Sequence, residues 1–240
     1  MASSECRCNM IKVVLWDIDG TLLSFKLAER AAIGACFKQF GLGELTDGML
    51  ADYSAINARY WKRLELGELT KPEVLRGRFE EFFKAYGLDT ACVDAFNAEY
   101  QVRLGETVVF NDNGKELVEH LRGKVLQYAV TNGTLVAQRG KLKNSGLDLL
   151  LDGVFISDVV GIEKPGKGFF DAVFAEIGTF AADEVLIVGD SLTSDIRGGN
   201  NAGILCCWYN PKGEPVPDGF RVDYDIRNLN ELPGILGLEG

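Results

Sequence analysis

The chain has 240 residues, 47% of them hydrophobic, and a formal net charge of −10. That length supports one large domain or a core with a smaller attached unit, and the acidic balance argues against a nucleic-acid polymer as partner, because polyanion binding rests on clustered Lys and Arg. No apolar run approaches the roughly 20 residues a bilayer requires, and the first ten residues do not read as a signal peptide, so the expectation is a soluble cytoplasmic protein, monomeric or weakly dimeric, with no membrane partner.

The first predicted element is the strand in VVLWDIDGT, Val13 to Thr21. It runs an apolar stretch into two carboxylates one residue apart, and the period of a strand sends Asp17 and Asp19 to the same side. Gly20 permits a sharp change of direction and Thr21 can hydrogen-bond locally. Two neighbouring carboxylates repel each other, which is tolerable where a divalent cation or a shared proton lies between them. A solvated Asp-Gly turn is the ordinary alternative. A calcium loop is not, because Leu22, Leu23 and Phe25 follow where further oxygen ligands are needed.

Residues 27–104 carry helical rather than strand patterning. Leu27 to Phe40 ends at Gly41, a C-terminal cap. A long helix is predicted from about Thr46 to Leu66. Thr70-Lys71-Pro72-Glu73 fits a capping box with proline in the first turn, opening a helix that runs to Tyr86 and stops at Gly87. Another runs from Thr90 to about Leu104. From residue 108 helix and strand alternate, with apolar runs at Val125 to Val130, Val154 to Ile156, Val185 to Val188 and Ile204 to Trp208. That alternation predicts an α/β fold, a doubly wound parallel sheet covered on both faces. The core takes residues 1–23 and 108–240, and an inserted α-helical cap takes 24–107.

Cysteines stand at positions 6, 8, 36, 92, 206 and 207 without paired CxxC units. Zinc is not expected on that spacing, and free thiols are. His120, in the charged stretch GKELVEHLRGK, reads as a surface residue.

In doubly wound sheets ligands gather beyond the carboxyl ends of the strands. The second strand ends in Thr131-Asn132-Gly133-Thr134, which offers a hydroxyl and backbone N–H groups to an oxyanion. The third leads to Gly161-Ile162-Glu163-Lys164-Pro165, and the fourth to Gly189-Asp190-Ser191-Leu192-Thr193-Ser194-Asp195. Each alone has a plain reading as turn, surface lysine or helix cap.

Asp, Thr, Lys and Asp at successive strand ends, in that order, resemble the four motifs of the haloacid dehalogenase-like hydrolase superfamily, and the likeness covers essentially the full chain. It implies a Rossmann-like core whose first strand lies between the second and fourth. It implies Asp17 as nucleophile on phosphorus, forming an aspartyl phosphate, and Asp19 as general acid and then base. Mg2+ would be held by Asp17, Asp190 and the backbone carbonyl of Asp19. Thr131 and the Asn132 N–H would bind phosphoryl oxygens, Lys164 would neutralise charge and orient Asp17, and Asp195 would position Lys164 or a metal-bound water. Halide-displacing members lack a carboxylate at the place of Asp19, so dehalogenation is disfavoured.

The insertion resembles the superfamily's first cap class. DYSAINARYW (52–61), GRFEEFF (77–83), TLLSF (21–25) and CCWYN (206–210) are similar to the noncanonical pyrimidine nucleotidases, which hydrolyse nucleoside 5′-monophosphates. That likeness implies a small phosphorylated metabolite as partner, with Phe25, Asn57, Trp61 and Arg78 facing it. A sugar-phosphate or phosphoglycolate phosphatase, a β-phosphoglucomutase-like phosphotransferase and a noncatalytic binding protein remain as alternatives.

Overall fold

A computed structural model describes residues 10–238. Its strands are β1 (Val13–Trp16), β2 (Leu126–Thr131), β3 (Gly153–Ile156), β4 (Val185–Gly189), β5 (Leu205–Tyr209) and β6 (Tyr224–Ile226). All pair in parallel in the order β3-β2-β1-β4-β5-β6, so β1 lies between β2 and β4 as expected. β6 is an addition to the five predicted strands. With three residues after a loop rich in Pro and Gly, it carries too little patterning to be seen in the sequence.

Each residue of β1 is fully buried, and the two faces of the strand enter different cores. Val14 and Trp16 pack with Leu117, Val118 and Leu121 of α5 (Gly114–Leu121). Val13 and Leu15 pack with Phe169, Phe170 and Val173 of α8 (Lys167–Ile177). This double burial is why the strand reads as a continuous apolar run rather than an alternating one. The other helices that follow β2 are α6 (Leu135–Ser145), α7 (Ser157–Val160), α9 (Arg197–Ala202) and α10 (Leu232–Ile235).

Between β1 and β2 the chain forms α1 (Phe25–Phe40), α2 (Asp47–Glu65), α3 (Lys71–Ala85) and α4 (Val93–Glu106) ahead of α5. Their boundaries follow the local signals. Gly41 closes α1 in the left-handed region at φ 64°, the Thr46 hydroxyl accepts the Met49 N–H at 3.1 Å, and the Glu73 carboxylate accepts the Thr70 N–H at 2.7 Å. These helices share an aromatic core. Phe79 stacks on Tyr53 at 5.0 Å and meets Phe96 and Tyr100 edge-on at 5.0 and 5.1 Å. Phe79→Ala is therefore expected to destabilise the protein by about 3–5 kcal/mol, read as a lowered midpoint in denaturant unfolding. A loss below about 1 kcal/mol would mean that the cluster does not support the fold.

The helical insertion is fastened to the rest of the chain at several points. Thr134 donates to Gln101 of α4 at 2.7 Å, and Lys71 of α3 donates to Ser157 at 2.7 Å and pairs with Asp158 at 2.5 Å. Glu65, at the end of α2, accepts from Thr193. α4 and α6 approach so closely that a Cβ on Gly105 would lie 2.9 Å from the Gly140 Cα.

Candidate active site

The ends of β1, β2 and β4 bring the sequence-derived residues together. Asp17 follows β1, and its backbone N–H donates to Val188 O at 2.9 Å. Gly20 then turns at φ +97°, where a Cβ would stand 2.5 Å from the Asp190 Oδ2, so a side chain is excluded by both backbone and space. Asn111 secures this turn by donating to Gly20 O at 3.1 Å and Thr21 O at 2.9 Å. The Thr131 hydroxyl, at the end of β2, accepts the Gly133 N–H at 3.2 Å. After β4, the Asp190 carbonyl accepts from Trp208 Nε1 at 3.0 Å, and Ser191 caps a π-helical turn, Leu192–Ile196.

Lys164 reaches this point from the loop after β3. Its ammonium donates to Asp17 Oδ1 at 2.9 Å, Asp195 Oδ1 at 2.6 Å and Val130 O at 2.6 Å. Asn132 joins the two loops reciprocally, donating to Lys164 O and accepting the Lys164 N–H, each at 2.8 Å. The expected partnership of Asp195 with Lys164 is thus a direct contact. The Asn132 side chain thereby fixes where Lys164 starts.

Charge is concentrated here. Burial is the main cause that raises the Asp17 carboxyl from 3.8 to about 7, and the charge of Asp195 adds to it while Lys164 opposes it. Burial works against the Lys164 ammonium, but Asp17 and Asp195 outweigh it and hold the group charged, above the ordinary lysine range. Loss of hydration among its neighbours, then the charges of Asp17 and Asp195, push Asp190 well above the usual carboxylate value. Carboxylate oxygens of Asp17, Asp190 and Asp195 lie within 4.8 Å of one another. Hard oxygen donors that close fit a divalent cation of the magnesium type.

A cavity of about 320 Å³ opens over these residues, lined by Asp17, Asp19, Thr131, Asn132, Asp190 and Asp195. Phe25, Asn57 and Trp61 line it as well, together with Glu29, Ser54 and Glu65. A second cavity of about 380 Å³ adjoins it past Phe25 and Lys26, with Trp208, Tyr209 and Asn210 in its wall. Arg78 is not brought to either cavity. It is 1% exposed, donates to Asn57 Oδ1 at 2.8 Å and Asn97 Oδ1 at 3.1 Å, and lies against the Phe79 and Tyr100 rings. The expectation that it faces a ligand directly is corrected: the aromatic core draws its guanidinium inward behind Asn57.

Two residues that the sequence reading passed over hold Asp19. Lys141 of α6 forms an ion pair with Asp19 Oδ1, and Gln138, one turn earlier, donates to Asp19 Oδ2 at 2.6 Å. Their i, i+3 spacing just after the Thr131–Thr134 loop was the available signal. His120 is exposed on α5, as expected. Cys36, Cys92, Cys206 and Cys207 are free thiols, while Cys6 and Cys8 lie outside the described residues. Among the described residues no helix is long and apolar enough to cross a membrane.

Comparison with known proteins agrees with this geometry. Residues 11–203 match the family model described as haloacid dehalogenase-like hydrolase. The chain is 37% identical to the HAD-hydrolase YfnB of Bacillus subtilis, covering 95% of this chain and 96% of YfnB. A crystal structure of YfnB bound to magnesium superposes with a TM-score of 0.88 over 95% of this chain and 99% of that one. The pyrimidine 5′-nucleotidase PynA of Streptococcus pneumoniae is 36% identical over 92% of this chain and 93% of its own length. The pyrimidine 5′-nucleotidase YjjG of Escherichia coli is 28% identical over 93% and 96%. Strand order, the convergence of the four motifs and the matched span lead to one conclusion: the chain belongs to the haloacid dehalogenase-like hydrolase family.

Proposed function

We propose that the protein is a magnesium-dependent phosphatase of nucleoside 5′-monophosphates that works through an aspartyl phosphate on Asp17. The observation that carries this reading is the meeting of Asp17, Asp19, Thr131 and Asp190 on one cavity, with Lys164 hydrogen-bonded to Asp17 beneath it. Asp17, Asp190 and the backbone carbonyl of Asp19 would hold Mg2+, which when bound offsets the repulsion between an anionic nucleophile and an anionic phosphate. Asp17 attacks phosphorus and takes the phosphoryl group, while Asp19 gives a proton to the departing oxygen. Asp19, now ionised, takes a proton from the water that attacks the aspartyl phosphate. Thr131 and the Asn132 N–H bind the phosphoryl oxygens, and Lys164 keeps Asp17 in line. Asp195 holds Lys164 in place. In this reading residues 24–107 form a cap over a core of residues 1–23 and 108–240, and the cap chooses the leaving group.

The nucleotide preference draws support from PynA and YjjG, both pyrimidine 5′-nucleotidases, and from the aromatic side chains Phe25 and Trp61 in the cavity wall. Magnesium-dependent phosphate release from pyrimidine and purine monophosphates, phosphoglycolate and hexose phosphates, at matched concentrations, tests it. Pyrimidine monophosphates are expected to lead the panel. A clear preference for hexose phosphates would overturn the nucleotidase assignment.

Metal binding should also compete with a proton at Asp17. With its carboxyl raised to about 7, the metal-free site is largely protonated at pH 6. Magnesium affinity is therefore expected to rise by at least about tenfold per pH unit up to about 7, more steeply where Asp190, whose carboxyl is also raised, gives up its proton, and to level off once both are ionised. The same group makes the metal-free protein lose stability as pH rises from 3.8 to about 7, because the folded state holds the proton more tightly than the unfolded chain. Calorimetric magnesium titrations between pH 5.5 and 8.5 read this directly. An affinity that does not change with pH would contradict it.

A further inference from the structure

The wall opposite the Asp17 cluster contains a buried charge that the hydrolytic chemistry does not use. Glu29 sits on the face of α1 that otherwise sends Ala32, Ile33, Cys36 and Phe37 into the helical core, and it is 3% exposed. Its Oε1 accepts from Asn57 Nδ2 at 3.0 Å and its Oε2 from the Ser54 hydroxyl at 2.5 Å. The Asn57 carbonyl accepts in turn from the buried Arg78. A carboxylate and a guanidinium are thus buried together with an amide between them, and the carboxylate end, not the guanidinium end, lines the cavity.

Cohesion alone does not account for this arrangement. Desolvating two charges is costly, and a packed apolar pair would serve a helical core at least as well. A carboxylate offers about four acceptor sites, and the two hydrogen bonds to Glu29 leave it with capacity toward the cavity. Glu65 adds a second carboxyl to the same wall. Lys26 is the one cation lining it among the described residues, and that side chain is exposed to solvent rather than enclosed.

We infer that Glu29, held by Ser54 and Asn57, reads the leaving group: it accepts a hydrogen bond from an O–H or N–H of that group and repels one carrying a second negative charge. The inference rests on the phosphatase reading and narrows its substrate class. The favoured esters are those of uncharged, donor-bearing alcohols such as nucleosides, whose sugar and base present both kinds of donor. Esters of hydroxy acids, and bisphosphates, are rejected. Arg78 and Asn57 act as positioning residues, because they set the carboxylate without requiring contact between Arg78 and the substrate.

Glycerol 3-phosphate and 3-phosphoglycerate give a matched pair, differing only in a hydroxymethyl group against a carboxylate. The experiment measures kcat and KM for both esters with magnesium in wild type, Glu29→Gln and Ser54→Ala. It also measures calorimetric Kd values for both in an Asp17→Asn background with and without Glu29→Gln. Wild type is expected to favour glycerol 3-phosphate by about tenfold or more, since like charges brought together are strongly disfavoured. Glu29→Gln, which keeps the shape and removes the charge, should bring the two esters near parity through KM. Ser54→Ala, which keeps the charge, should retain the preference. Parity or a preference for phosphoglycerate in wild type would overturn the assignment, as would an unchanged ratio in Glu29→Gln. Should neither ester nor any nucleoside monophosphate release phosphate while the Asp17→Asn protein still binds the two esters with the expected preference, the phosphatase reading fails and the role of Glu29 stands.

Discussion

Asp17→Asn is expected to reduce phosphate release by at least about 10⁴-fold, the scale on which removal of a nucleophile acts in a site whose parts work as a unit. The amide cannot form an acyl phosphate, and it offers the metal a weaker ligand. Folding should survive the change, because the substitution removes an ionisable group that burial already raises to about 7 and leaves Lys164 paired with Asp195. Asp19→Asn should cost less, about 10²–10⁴-fold, since a leaving group of low pKa departs without a proton. The gap between the two variants is therefore substrate-dependent. With p-nitrophenyl phosphate the Asp19 variant should recover part of its loss, and the Asp17 variant should not. Steady-state rates for both variants on a nucleoside monophosphate and on p-nitrophenyl phosphate check this, and activity of Asp17→Asn within tenfold of wild type would remove the covalent mechanism.

Lys164→Met is expected to have the largest effect on stability of any change in the site. Its ammonium is 1% exposed and serves Asp17, Asp195 and the Val130 carbonyl together. Methionine replaces its length but leaves two buried carboxylates facing each other and a backbone acceptor without its donor. Breaking a buried ion pair by removing one partner costs about 3–5 kcal/mol, which corresponds to a fall in Tm of about 6–20 °C for a chain of this size. Magnesium should return part of that loss by supplying positive charge to Asp17, so the variant is expected to gain more from the metal than wild type does. Thermal unfolding with and without magnesium measures both quantities. A Tm within about 2 °C of wild type would show that Lys164 is not the charge that balances this cluster.

The sequence carried the strand ends well because two signals coincide there. An apolar run that stops at a polar residue marks both the edge of the sheet and the group placed on it, and Asp17, Thr131 and Asp190 all follow such runs. The segment between β1 and β2 was legible as helices but not as a surface. Which face of an amphipathic helix meets its neighbours depends on packing between segments tens of residues apart, so Arg78 read as available when Tyr100, Phe79 and Asn57 enclose it. Glu29 was legible in principle. In LAERAAIGACF it occupies a position in step with Ile33 and Cys36, and a carboxylate on an apolar stripe is the mark of a buried polar contact. Lys141 and Gln138 were hidden for a different reason: their partner, Asp19, lies about half the chain away.

Helix α6 begins at the Thr131–Thr134 loop, turns Gly140 toward Gly105 of α4, and on an adjacent face carries Gln138 and Lys141 to Asp19. One rod therefore acts as the common datum for two assemblies that could otherwise drift independently. The tolerance at the glycine contact is below the width of a methyl group. An alanine at either position would shim α4 away from the rod or roll the rod about its axis, and such a roll would be delivered to the Asp19 carboxylate. Placement of the Asp19 carboxylate is in this sense machined into a joint next in the chain to Lys141, and drift at that joint would be felt first as misalignment rather than as unfolding.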